Sequence, residues 1–181
     1  MSNLRFGGQA AGLEGITFLA AHGFDFADLN LNEIEKIRRE ESEMLKAARK
    51  AGMFFTAHAP DLRVDNEDGR QRIGGAVGYA ELFNPRTITI HPILAPRSNT
   101  PEKIALKIRE VGALAAMAES YGARISCENT SENPVDMKAV LDANPGVMLT
   151  VDIGHSELLS DQNKSLGFIN AYPDRIGHIH I

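Results

Sequence analysis

Short runs rich in β-branched and aromatic residues alternate along this chain with longer stretches in which apolar residues recur every three or four positions. The runs predict strands over Leu4–Gly7, Phe24–Leu31, Met53–Ala59, Thr87–His91, Arg124–Glu128, Val147–Asp152 and Ile176–Ile181. The stretches predict helices between them. One spans Leu13–Ala21 and a second runs from about Glu33 to Ala51, started by a capping-box-like Asn32 and Glu35. A third carries Ile73, Ala76, Val77, Ala80 and Phe83 on one face, after a polar loop over Asp61–Asp68. The fourth opens on Thr100-Pro101, a cap followed by proline at the first helical position, and has a stripe of Ile104, Ile108, Val111, Ala115 and Ala118. Asn133-Pro134-Val135-Asp136 caps a short fifth, and Leu166–Tyr172 is a sixth, stopped by Pro173. Gly23, Gly52 and Gly122 stand where the first, second and fourth should end.

Seven strands alternating with six helices imply α/β architecture with a parallel sheet. No low-complexity linker divides the chain, so residues 1–181 read as a single domain. An open doubly wound sheet and a (β/α)8 barrel both fit this alternation. A complete barrel ordinarily needs about 250 residues, and this chain has 181 and stops inside its seventh strand at Ile181. The reading adopted below, from where the ionisable residues fall, is a (β/α)8 barrel truncated within that strand. Such a barrel would expose two strand edges and so favour association with another chain, a second copy included.

Composition narrows the function classes. A hydrophobic fraction of 43% with 24% charged residues is that of a globular domain, and a single Cys excludes a disulfide scaffold. A net charge of −5 weighs against a nucleic-acid surface. No apolar run approaches the roughly 18 residues of a membrane span, and Glu14 and several glycines interrupt the N-terminal apolar stretch that a signal peptide would need. The expected location is the cytoplasm.

The candidate chemistry sits at strand ends. His58, His91, Glu128 and Asp152 each close a strand, the last strand carries His178 and His180, and His155 follows Asp152 by three residues. In a parallel barrel all carboxyl ends open onto one face, so residues scattered through the sequence converge there. Alternation along a strand puts Thr89 with His91, Ser126 with Glu128, Thr150 with Asp152 and His178 with His180 on common faces, while Ile125 and Cys127 face the helices. Imidazole nitrogens mixed with carboxylate oxygens suit Zn²⁺, Mn²⁺ or Fe²⁺, whereas a Ca²⁺ site would use oxygens alone. His22 reads as a favourable cation at a helix C-terminus. Cys127 reads as a small buried apolar residue. The Gly74-Gly75-Ala76-Val77-Gly78 run lies inside a helix and is no phosphate loop.

The ordered set His58-Ala59-Pro60, His91-Pro92, Glu128-Asn129-Thr130, Asp152-Ile153-Gly154-His155 and His178-Ile179-His180 resembles the xylose isomerase-like TIM-barrel superfamily, which holds sugar-phosphate isomerases and epimerases and the endonuclease IV-type apurinic endonucleases. Phe24–Leu29 is similar to its second strand, with Asp28 where Glu is common. The resemblance implies a divalent metal, Zn or Mn, with Glu128, Asp152 and His180 as shared ligands. It adds His155, His58 and His91 as ligands in the endonucleases, and implies that His58 and His91 line the substrate pocket in the isomerases. It implies further that the family continues into an eighth strand whose Glu completes the metal site and forms half of an acid/base pair.

Three functions follow. The first is a metal-dependent isomerase or epimerase of a small sugar or sugar phosphate, working through a metal-stabilised enediolate. Glu128 and His155 would be catalytic, and His58, His91, Asn129, Arg63 and Arg97 would contact the substrate. The second is an endonuclease IV-like, zinc-dependent phosphodiester hydrolase. The third is a non-catalytic metal- or sugar-binding truncated barrel.

Overall fold

The computed structural model describes residues 4–158 and 161–181. Seven strands pair in chain order, every pair parallel: β1 (Gly7–Ala10), β2 (Phe26–Asn30), β3 (Phe54–His58), β4 (Thr87–Ile90), β5 (Arg124–Glu128), β6 (Met148–Asp152) and β7 (Ile176–His180). Between them lie α1 (Leu13–Ala21), α2 (Ile34–Ala51), α3 (Glu67–Ala80), α4 (Pro101–Glu119), α5 (Pro134–Ala143), α6 (Ile153–Glu157) and α7 (Ser165–Ala171).

The sheet curls, and contacts between non-neighbouring strands prove it. Strands in a sheet are about 4.8 Å apart. Yet Thr89 of β4 meets Thr150 of β6 at 3.2 Å, and the rings of Phe26 on β2 and His178 on β7 are 5.5 Å apart. A flat sheet allows neither. The architecture is therefore a partial (β/α)8 barrel with its helices outside, as the sequence implies, and it is open between β1 and β7.

The two faces of each strand differ in chemistry. Outward-facing Ala27, Leu29, Phe55, Ala57, Ile88, Ile90, Ile125, Cys127, Leu149 and Val151 are buried under the helices and form the main core with Ile16, Ile37, Met44, Ile73, Val77, Val111, Val140 and Phe168. Burying each large side chain contributes roughly 1.5–3 kcal/mol. The inward face is polar yet also buried: Thr56 donates to Asp28 at 2.6 Å, and Thr150 donates to Ser126 at 2.7 Å while meeting Thr89. These hydroxyls satisfy one another, which removes the penalty of burying them unpaired.

Local structure departs from the sequence reading in four places. The first strand begins at Gly7, not Leu4, because its residues are set by pairing with β2 and not by their own propensity. A Cβ on Gly7 would lie 2.2 Å from the Phe26 ring, so glycine lets that ring cross the strand. The start of α2 is a 3-10 turn over Leu31–Glu33 capped by Asn30, whose side chain accepts from Asn32 N; the expected Asn32–Glu35 box does not form. The buried stripe of α4 is Lys107, Val111, Leu114 and Ala118, one step round from the expected one, leaving Ile104, Ile108 and Ala115 half-buried. The short α6, which the sequence reading did not include, follows Asp152 directly. The stops fall as expected: Gly23, Gly52 and Gly122 all take positive φ.

Candidate metal centre

Glu128 ends β5 at the carboxyl face of the barrel and is 1% exposed. Its two oxygens each face two imidazoles. Oε2 lies 2.9 Å from His180 Nδ1 and 3.3 Å from His58 Nε2; Oε1 lies 3.2 Å from His155 Nδ1 and 3.4 Å from His91 Nε2. Asp152 Oδ2 stands 3.8 Å from His155 Nδ1 and 3.9 Å from His180 Nδ1. Two donor groups thus share one carboxylate, His58–Glu128–His180 and His91–Glu128–His155, the ligand atoms of each group lying within 4.8 Å of one another.

Local chemistry aims these groups. Asp152 caps α6, its Oδ1 accepting from His155 N at 2.6 Å, which ties His155 to Asp152 and leaves Oδ2 for the site. A Cβ on Gly154 would sit 3.2 Å from that same Oδ1. Asn129 donates to Asp152 O at 3.1 Å and to Ser156 Oγ at 3.1 Å, and accepts from Asp152 N at 2.9 Å. Its amide is thereby committed to holding the end of β6. His91 Nδ1 pairs with Asp61 Oδ1 at 2.9 Å, which leaves Nε2 facing Glu128.

The electrostatics follow from this packing. Burial by itself would raise the Glu128 carboxyl; the surrounding imidazoles of His180, His58 and His91 override it and hold the group far below the usual carboxylate range. Burial pulls His91 down, but Glu128 and Asp61 together lift it to about 9. Burial opposes and Glu128 reverses in the same way at His180, which is also raised. His178, one layer deeper, is lowered by burial and by the charge of His180. Glu128 Oε2 and His91 Nε2 are buried, within ion-pair distance of partners but without a hydrogen bond of good geometry. Two unpaired buried ligand atoms within a cluster of imidazole nitrogens and carboxylate oxygens fit a divalent ion of the Zn or Mn class.

The structure brings His58, His91, Glu128, Asp152, His155 and His180 together on the wall of one cavity of about 930 Å³. It does not bring Arg63, Arg97 or Asn129 to that wall. Arg63 is exposed, 3.7 Å from Asp61 Oδ2, and Arg97 is exposed on the 3-10 turn Pro96–Ser98. Asp61 and Glu132 were missed by the sequence reading. Glu132 is fully buried; its carboxylate accepts from Leu94 N at 2.6 Å, Thr130 N at 2.7 Å and Ser131 N at 2.9 Å, stapling the loops after β4 and β5. The signal for Asp61 was its place directly after His58-Ala59-Pro60; Glu132 left none, because its partners are backbone amides and the hydroxyl of Thr130. Cys127 is buried facing the helices, and burial pushes its thiol up to about 12. His22 bonds its own helix end through Phe18 O at 2.8 Å.

Residues 16–181 match the family described as xylose isomerase-like TIM barrel, and the chain belongs to that family. No curated protein matches the chain. Among solved structures it is similar to a D-psicose 3-epimerase crystallised with D-fructose, at 17% identity and a TM-score of 0.79, covering 98% of this chain and 72% of that one. An L-ribulose 3-epimerase superposes with a TM-score of 0.78 at 13% identity, covering 99% and 70%. A family 2 AP endonuclease from Brucella melitensis gives 0.70 at 13%, covering 97% and 78%. At these identities the likeness shows the fold. No helix among the described residues is long and apolar enough to cross a membrane.

Proposed function

We propose that this protein is a divalent-metal-dependent isomerase or epimerase of a small sugar or sugar phosphate. The observation that carries the proposal is the buried Glu128, each oxygen facing a pair of imidazoles, with Asp152 beside them on the wall of the cavity. Glu128, Asp152, His58, His91, His155 and His180 would hold the metal, and a divalent ion there supplies Lewis-acid polarisation of a carbonyl.

The chain's own residues do the rest. Glu128 ends β5 among the prospective ligands and would serve both to hold the metal and to take the proton beside the polarised carbonyl. His155 has the most exposed of the four imidazoles around Glu128, at 32%, and would be the first of them to meet a bound sugar. The buried hydroxyls of Thr89, Ser126 and Thr150 lie on the same inward strand faces as the site residues and bond to one another. The similarity to two sugar epimerases supports the substrate class.

One observation favours a second reading. Two donor groups on one bridging carboxylate suit a multinuclear centre of the kind that hydrolyses phosphodiesters, and an AP endonuclease is among the similar structures. The net charge of −5 opposes it. A deuterium-exchange assay separates the two. Proton removal beside a carbonyl exchanges that hydrogen with solvent, so NMR in D2O with a panel of ketoses and their phosphates should show exchange that chelation abolishes. Cleavage of abasic DNA without exchange into any sugar would establish the hydrolase instead.

A further inference from the structure

Two residues beyond His91 the backbone does something unusual. Ile93 has φ +51, and it is the one β-branched residue with positive φ among the described residues. That conformation crowds a branched Cβ and persists only where the surroundings enforce it. Three groups from three different places enforce it here. Lys107, on the buried face of α4 and 4% exposed, donates from Nζ to Ile93 O at 2.6 Å. Asn99 donates to the same carbonyl at 2.8 Å. The next amide, Leu94 N, donates to Glu132 at 2.6 Å.

The path from this clamp to His91 is stiff. Only Pro92 intervenes, and its ring fixes φ. The residue before a proline is itself confined to extended backbone. Orientation set at Ile93 is therefore delivered to His91, whose carbonyl accepts from Leu62 N at 3.0 Å and whose ring sits between Asp61 and Glu128. A lysine amine out of water is costly, and burial followed by the like charge of Lys103 lowers its pKa. A leucine would fill the same space but could not hold the carbonyl.

We propose that Lys107, with Asn99 and Glu132, is a positioning residue: the three hold Ile93 in its strained conformation, and that conformation aims His91 Nε2 at Glu128. The inference rests on the metal-holding role given to His91 above, and two readouts keep the two ideas separable. The first is Co²⁺ affinity of the chelated full chain, by absorption titration. The second, which needs no metal, is the ring Nδ1–H signal of His91 in ¹⁵N NMR, protected from exchange by Asp61.

Lys107→Met keeps the apolar stem and removes the donor. It should weaken Co²⁺ binding about tenfold, the usual scale for losing an outer partner of a metal ligand, and abolish protection of the His91 ring proton. Ile93→Gly in the same background should restore both, because glycine adopts positive φ without strain. Ile93→Gly alone should leave Co²⁺ affinity near that of the parent. Should Lys107→Met fail to fold, Asn99→Ala removes the weaker donor and should show the same losses, smaller, with the same rescue. A variant that melts earlier yet keeps Co²⁺ affinity and the His91 signal would overturn the proposal, as would failure of Ile93→Gly to rescue. If the parent chain binds no Co²⁺, the metal reading fails, and the His91 signal alone decides the clamp: loss in Lys107→Met with rescue by Ile93→Gly upholds it, persistence refutes it.

Discussion

Glu128→Gln is the most informative single change, because it removes the charge around which four imidazoles are arranged and alters little else. In the metal-free protein the carboxylate favours the protonated forms of His91 and His180. His91 is held at about 9 where an ordinary histidine sits at 6.5, and at about 1.36 kcal/mol per pKa unit this is worth about 3 kcal/mol, divided between Glu128 and Asp61. His180 is raised by Glu128 as well. Glu128 supplies only part of that figure, with a further part from His180, so a loss of about 1–3 kcal/mol is expected in the metal-free variant at neutral pH. The sign of the pH dependence is fixed. A histidine whose folded pKa is raised contributes stability that is full below its ordinary value and is lost as pH rises through about 9. Glu128, lowered, stays ionised across the neutral range. Urea denaturation of chelated parent and variant from about pH 6 to about pH 10 should thus show a stability gap that is widest at the acid end and shrinks on passing the His91 pKa. The same variant should lose Co²⁺ binding. A gap that stays constant with pH, or a His91 ring that titrates at its ordinary value in the parent, would refute this account of the centre.

Asp61→Asn should return the His91 pKa towards 6.5 and weaken metal binding about tenfold, read by ¹⁵N NMR and Co²⁺ titration. Thr150→Val leaves Ser126 without its donor and Thr89 without its partner inside the barrel; urea denaturation should show a loss of about 1–3 kcal/mol. Cys127→Ala, on the helix-facing side of the strand next to Glu128, should cost about 1 kcal/mol in stability while leaving Co²⁺ affinity unchanged.

Much of the site was legible in the sequence for one reason. Parallel strands with crossover helices put every strand's carboxyl end on one face, so position at a strand end predicts convergence without any knowledge of distances. His58, His91, Glu128, Asp152 and His180 carried that signal, and His155 followed from Asp152 through a local cap. Arg63 and Arg97 illustrate where the argument weakens. They lie on loops after the right strands, but the direction of a long exposed side chain on a loop is not set by its position in the sequence; Arg63 turns to Asp61, and the structure leaves both arginines off the cavity wall.

The sequence alone determined the order and type of the main elements, because hydrophobic period, glycine stops and the Thr100-Pro101 cap are local and act before any packing. It determined also which strand residues face inward, since alternation is a property of the strand itself. Only the tertiary structure decided the rest. Gly7–Ala10 became a strand because β2 lay beside it, and Lys107 replaced Ile108 on the buried face of α4 where Ile93 O needed a donor. The sheet's curl set which oxygen of Glu128 each imidazole meets. Asp61 and Glu132 gained their roles from partners far away in the sequence or from backbone amides, and neither kind of partner leaves a pattern that can be read along the chain.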